Sequence, residues 1–268
     1  MLKNITIGQF FPGDSIIHRM DPRTKLILVF VFVVGIFLIK SFWGYLLTGL
    51  YIFFIIAICK IPFKYMLKGL KPIFIIVLFT LALNILMTPG ENALFTWWKL
   101  TVYEEGIRLG FYFAVRLILL VLGSQILTLT TSPLALTDGL ETLFKPLQKI
   151  KMPVHELAMM MTIALRFIPT LLGETDKIMK AQMSRGADFE SGNLISRAKS
   201  LVPVMVPLFV SAFRRADDLA LAMEARCYKG GEGRTRMKKL QFTGADAVTT
   251  FGFLVFAASV AAVQILVG

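Results

Sequence analysis

The chain has 268 residues, of which 56% are hydrophobic and 23 are Phe, with a mean hydropathy of +0.71 and a formal net charge of +12. Soluble globular domains are about 45–50% apolar, so this composition excludes an ordinary soluble domain and indicates a membrane protein. The only cysteines, Cys59 and Cys227, are far apart and form no CxxC spacing, which argues against a disulfide framework and a cysteine-ligated zinc site.

Residues ahead of Lys25 include Gly8, Pro12, Gly13, Asp14, His18, Arg19 and Asp21, which do not make a secretory signal. The first apolar run is therefore expected to be retained. A run of about 20 apolar residues crosses the hydrocarbon core as a helix, because only internal hydrogen bonding satisfies the backbone there. Such runs extend over Lys25 to Ile39, Trp43 to Ile58, Pro72 to Met87, Ile107 to Leu129 and Ala245 to Val267. Five spans follow, and the chain divides into 1–130 with four helices, a segment 131–242, and 243–268 with the last.

Lysines and arginines near the span ends set the expected orientation. His18, Arg19, Arg23 and Lys25 precede the first span, and Lys60, Lys64, Lys68 and Lys71 separate the second from the third. Both flanks are predicted to be cytoplasmic. Lys40 and the connection from Thr88 to Gly106, carrying Glu91, Lys99, Glu104 and Glu105, then lie outside. Residues 131–242 carry 17 Lys and Arg against 11 Asp and Glu, and span parity also places them inside. The N-terminus is thus expected in the cytoplasm and the C-terminus outside.

The inner segment is too long for a loop and too poor in Ser, Pro and Gly for a disordered linker. Ser132-Pro133, with Asp138 and Glu141, opens a short predicted helix towards Phe144 that breaks at Pro146 and near Pro153. Met161, Leu165, Ile168, Leu172, Met179 and Met183 recur at helical spacing, as do Val202, Val206, Phe209, Phe213, Ala216, Ala220 and Met223. Three helices are expected, the long pair separated by Gly186 to Gly192 and closed by Gly230, Gly231 and Gly233. Met159, Met160, Met161, Ile163, Leu165, Phe167 and Ile168 cover almost the full circumference of the first long helix. A helix like that needs a second burial partner, lipid or another membrane protein, and methionine suits an adaptable contact.

Each long helix ends on an arginine, in Ala181-Gln182-Met183-Ser184-Arg185-Gly186 and Ala222-Met223-Glu224-Ala225-Arg226-Cys227, 41 residues apart. A cation in a last turn is ordinarily a complement to the macrodipole, worth about 0.3–1 kcal/mol. Capping does not require the repeated A-x-x-[SA]-R pattern. A small neighbour lets a helix tip enter a groove, and the guanidinium fork forms bidentate bonds with carboxylates there.

Asp21-Pro22-Arg23-Thr24-Lys25-Leu26, Arg185-Gly186-Ala187-Asp188-Phe189-Glu190 and Ala220-Leu221-Ala222-Met223-Glu224-Ala225-Arg226, in this order, resemble the transmembrane T component of energy-coupling factor (ECF) transporters. The likeness covers nearly the whole chain. It implies an all-α, polytopic scaffold in the bacterial plasma membrane whose coupling helices end in Ala-Arg-Gly signatures. Those signatures dock into grooves of two ATP-binding cassette subunits, a heterodimer, and make Ser184, Arg185, Gly186, Ala225, Arg226 and Cys227 the coupling residues. The apolar helix surface holds a substrate-binding S component, here through Met160, Ile163, Phe167, Val206 and Phe209. Two departures stand out: Ser184 replaces alanine nearly isosterically, and Cys227 occupies the glycine position. If that position needs positive φ, the second helix is expected to end differently, continuing to Tyr228 before Gly230.

No G-x-x-x-x-G-K-[ST] phosphate loop is present, and His18 and His155 lack metal-ligand spacing, so the expectation is a noncatalytic chain without cofactor, metal or nucleic-acid partner. Glu104-Glu105-x-x-Arg108 has a partial likeness to the paired glutamates of intramembrane prenyl-protein endopeptidases. It lacks their extra intervening residue and a downstream histidine in a span, and a solvated helix start explains it. A stand-alone secondary transporter would place charge at mid-membrane. Here Arg116 is the main such charge, with Asn84 and Gln125 as expected polar company and snorkelling as the simpler account. The resemblance leaves the cargo open between vitamins, through a shared T component, and cobalt or nickel, through a dedicated one.

Overall fold

A computed structural model of the chain describes residues 10–90, 93–97, 100–189, 191, 193–231 and 240–267. Gly8, Glu91, Lys99, Glu190, Gly192, Gly233 and Gly268 lie outside the described residues. The elements run α1 (Ile16–Arg19), α2 (Pro22–Leu38), α3 (Phe42–Cys59), α4 (Phe63–Met87), β1 (Ala93–Trp97), β2 (Leu100–Tyr103), α5 (Glu104–Thr130) and α6 (Pro133–Phe144). A short 3₁₀ helix (Lys145–Ile150) then leads to α7 (Val154–Ser184), α8 (Leu194–Ala225) and α9 (Gly244–Val267). The chain is an all-α polytopic membrane protein. Its one sheet among the described residues is the antiparallel β1–β2 hairpin, with Trp97 opposite Leu100 and Ala93 opposite Tyr103, in what the sequence presented as a plain connection.

Helix boundaries follow local chemistry. Asp21 caps α2 by accepting from the Arg23 N–H, with Pro22 in the first turn, where its missing N–H costs nothing. Ser41 caps α3 through the Gly44 N–H, and Lys60 ends it in the left-handed conformation (φ 52°). Glu104 and Glu105 fall in the first turn of α5, the place where a carboxylate meets a positive helix end.

The chain forms two compact units, one of Gly8–Leu140 with Leu240–Gly268 and the other containing Glu141–Lys239. In the first, α3 turns Tyr45, Thr48, Ile52, Ile56 and Cys59 inward at roughly one per turn, against Phe32 and Ile36 of α2 and Leu119, Ile126 and Leu129 of α5. Tyr51 stacks on Phe256 of α9 with centroids 4.0 Å apart. Small residues Gly106, Gly110 and Ala114 bring α5 close to α4: a Cβ on Gly106 would stand 2.9 Å from the Asn84 carbonyl oxygen.

Among the described residues, five helices are long and apolar enough to cross a membrane: α3, α4, α5, α7 and α9. The number equals the sequence expectation but the membership differs. At 17 residues, α2 is at the short end of spanning length. Meanwhile α7 qualifies because Arg166 is its one charge between Glu156 and Glu174. Length and composition alone do not separate a span from an apolar helix that lies against a partner.

Candidate functional site

The long helices α7 and α8 have 31 and 32 residues and belong to the second unit. Their endings are the same structure. In α7, the Gly186 N–H donates to the Met183 carbonyl and the Ala187 N–H to the Gln182 carbonyl, both at 3.0 Å. In α8, the Cys227 N–H donates to Glu224 at 2.8 Å and the Tyr228 N–H to Met223 at 3.0 Å. Both sets are the paired 5→2 and 6→1 bonds of a Schellman ending, with the arginine as the last half-helical residue (φ/ψ −92/7° and −91/11°). Gly186 takes φ +90° and Cys227 takes φ +55°.

The expectation that α8 continues to Tyr228 is therefore corrected. The backbone bonds that close the helix hold Cys227 in the left-handed region although it carries a Cβ. Such a residue costs on the order of 1–2 kcal/mol relative to right-handed backbone, which two carbonyl bonds and the turn offset.

At both tips the arginine is exposed, as are Ser184, Gly186, Ala225 and Cys227. Among the described residues neither guanidinium has a side-chain hydrogen bond or ion pair. The Ser184 hydroxyl folds back on its own helix, donating to the Lys180 carbonyl at 3.1 Å, so its outward surface is close to that of an alanine.

Sequence reasoning missed how the helices meet. Glu174 of α7 accepts from the Ser211 hydroxyl of α8 at 3.0 Å and forms an ion pair with Arg215. Glu174 stands 11 residues before Arg185, and Arg215 stands 11 before Arg226. The link thus joins equivalent positions of two helices related by the 41-residue offset. That offset was the signal that would have found it. Pro169, Pro203 and Pro207 all precede the link, so the arms beyond it contain neither Pro nor Gly, and each is about 16 Å long.

Of the proposed apolar contact residues, Met160 (54% exposed), Val206 (57%) and Phe209 (54%) are open, while Ile163 and Phe167 are half-buried. The only buried residue on α8 is Val204, among those described.

Arg116, the intramembrane charge, has other company than expected. Its Nε and Nη2 donate to the Tyr45 hydroxyl at 3.0 and 2.7 Å, and Nη2 also reaches the Ile39 carbonyl at 3.3 Å. Rings of Phe37, Tyr45 and Phe113 surround it. Asn84 bonds instead to Thr80 and Gln125 to Tyr65. Arg116 thus stands beside the turn joining α2 to α3, hydrogen-bonded to Tyr45 and Ile39.

The cobalt transport protein family (CbiQ) matches residues 13–237. The energy-coupling factor transporter transmembrane protein EcfT of Clostridium kluyveri is 58% identical over 256 residues, covering 95% of each chain. The Bacillus subtilis protein of the same name is 52% identical over 258 residues, covering 96% of this chain and 97% of its own. The Lactococcus lactis subsp. cremoris protein of that name is 47% identical over 254 residues, with 95% and 96% covered. With likeness of this depth along almost its entire length, the chain belongs to the family of noncatalytic transmembrane components of energy-coupling factor transporters.

Proposed function

We propose that this chain couples ATP hydrolysis by two cytoplasmic ATP-binding cassette subunits to reorientation of a membrane S component that carries a vitamin or similar micronutrient inward. In this reading 131–242 is the coupling domain, flanked by membrane parts 1–130 and 243–268. The observation that carries it is the pair of identically closed, exposed arginine tips at equal distances from the Glu174–Arg215 link. Two equal sockets on a dimer of ATPases call for two equal plugs. The Met-rich face of α7 and the open face of α8 supply the contact for the S component, through Met160, Ile163, Phe167, Val206 and Phe209.

Arg185→Ala with Arg226→Ala is the decisive variant. Truncating one partner of a desolvated charge pair costs about 2–5 kcal/mol, against about 0.3–1 for a dipole contact. ATPase retention in pull-downs and substrate uptake should both collapse while the protein stays inserted. Normal recruitment and uptake would reduce the arginines to caps. Orientation is tested by impermeant thiol labelling of intact cells, with Lys99→Cys reactive and Ser196→Cys protected. Fast labelling of the latter overturns an inward-facing coupling domain.

A second reading, cobalt or nickel carried through a dedicated T component, is supported for cobalt by the description of the matching family. Copurification distinguishes the two: several different S proteins on one T component indicate the shared vitamin system, and a single fixed one with metal-dependent uptake indicates the metal system.

A further inference from the structure

The first unit contains a polar cluster whose members do not belong to the tips. The chain leaves this unit after Leu140, within α6, and returns at Leu240, so two connections, helical on the way out, join it to the second unit. The outgoing connection, α6, follows directly on the end of α5. There the Lys25 ammonium, buried, donates to the Thr130 carbonyl and the Thr131 hydroxyl, both at 3.0 Å. A cation thereby closes the negative end of α5. The returning connection arrives at the start of α9. Asp246 accepts from the Thr243 N–H at 2.7 Å and the Thr243 hydroxyl at 2.8 Å, a capping box at the third helical position. Its other oxygen accepts the Asp21 N–H at 2.7 Å. Asp21 itself caps α2 and binds Arg23 through both carboxylate oxygens. Arg23 reaches the Leu240 carbonyl at 3.4 Å and lies over the Phe242 ring at 4.4 Å.

We infer that Asp21, Arg23 and Lys25 with Asp246 form a brace that clamps both connections to the start of α2, and that this brace transmits movement of the coupling helices to the membrane helices. It rests on the coupling role proposed above. The residues sit at helix ends with matched charge: two carboxylates at the positive ends of α2 and α9, an ammonium at the negative end of α5. The brace is buried, with Asp21 and Lys25 each 5% exposed and Asp246 3%. Fixing both connections at one point is what a rigid transmission requires; a single fixed connection would leave the other to absorb the movement. These are positioning residues, remote in sequence from the arginine tips and without a part in docking.

The test uses the whole complex with its ATPases and S component. Lys25→Met keeps the side-chain length and removes both bonds to α5, and Asp246→Asn keeps the shape and removes the carboxylate. Both variants should retain the ATPases within about twofold, yet substrate carried per ATP hydrolysed should fall about tenfold or more, the equivalent of losing one charge-assisted hydrogen bond from the transmitting state. Arg23→Gln, which spares the helix caps, covers the case in which either variant does not insert, and Arg23→Lys should recover part of its loss. Unchanged transport per ATP in an intact complex overturns the brace, as does ATPase loss equal to that of the Arg185→Ala, Arg226→Ala protein. If that tip variant keeps its ATPases while the brace variants lose transport per ATP, docking through the tips fails and the brace stands.

Discussion

Both units expose many apolar residues, but only the first has a substantial buried core beneath them. In the first, α5 alone buries nine residues among its neighbours, and polar groups at the helix ends are paired. In the second, α7 buries only Val154 and Ala158 and α8 only Val204, although Met160, Met161, Met205, Val206, Phe209 and Phe213 are each 48% exposed or more. A helix pair with that much uncovered apolar surface is not finished by its own packing. The first unit has a buried core beneath apolar outer faces, such as Phe74, Ile75 and Phe79 of α4, that suit lipid; the second has almost no core of its own, and the function proposed above gives its open face to another protein.

The largest effect we expect breaks this contrast directly. Met160→Asp with Ile163→Asp places two carboxylates on the uncovered face. S-component retention should drop about a hundredfold or more, since each buried unpaired carboxylate costs several kcal/mol. ATPase retention should persist, because Ile163 lies 22 residues before Arg185, about 33 Å along a helix. Pull-downs that lose both partners together would make the face a core and the contrast false.

In the first unit the corresponding test is Tyr45→Phe. Removing the hydroxyl that accepts two Arg116 bonds should cost about 1–3 kcal/mol of thermal stability in nanodiscs. Adding Arg116→Leu should recover part of it, because the orphaned guanidinium goes too. A strictly additive loss would mean the two residues act separately.

Smaller, and opposite in sign at the two tips, are the left-handed positions. Gly186→Ala should destabilise its helix end by about 1 kcal/mol and Cys227→Gly should stabilise the other by a similar amount. Hydrogen exchange at Ala187 and Tyr228 reports each locally. Equal exchange in the Cys227→Gly protein and the parent would show that the thiol bears no backbone cost.

The smallest expected effect is pH-dependent. Burial lowers the pKa of His18, whose ring bonds to Ser15 and the Phe11 carbonyl, below its usual 6.5. Burial alone would push the Asp21 carboxyl up, but hydrogen bonds from Arg23 outweigh it and hold it below the ordinary 3.8. In both cases the unfolded chain takes up the proton first. Stability is therefore full above the unfolded value and is lost as pH falls through the folded one, below 6.5 for His18 and below 3.8 for Asp21. Melting curves of His18→Gln should be flatter than the parent's below pH 6.5; identical slopes would remove His18 from the account.

Local order was legible in the sequence, and long-range pairing was not. The three helices expected in 131–242 and their breaks at Pro146, Pro153 and Gly186 follow from hydrophobic period and punctuation, and α6, α7 and α8 lie where those signals put them. The β1–β2 hairpin escaped because its strands carry no Gly or Asn turn between them, although Leu-Phe-Thr-Trp and Leu-Thr-Val-Tyr are strand-forming residues. Cys227 escaped because its φ is imposed by the helix closing behind it, against its own preference. Tyr45 with Arg116, Glu174 with Arg215, and Asp21 with Asp246 are separated by 71, 41 and 225 residues. Such pairs are products of the folded arrangement and leave little trace in a local window; of the three, only Glu174 with Arg215 carried a signal, the unused 41-residue repeat.

The equal arms beyond Glu174 and Arg215 also have a mechanical meaning. Two arms of equal length joined at one point carry equal displacements of their tips to that point with equal weight. On the function proposed above, equal strokes at both tips translate the link by the same amount. When only one tip moves, the same parts turn the stroke into rotation about the link. Two ATPases that differ in sequence or in timing would then be read by one scaffold as two separate motions, the sum of their strokes and the difference between them.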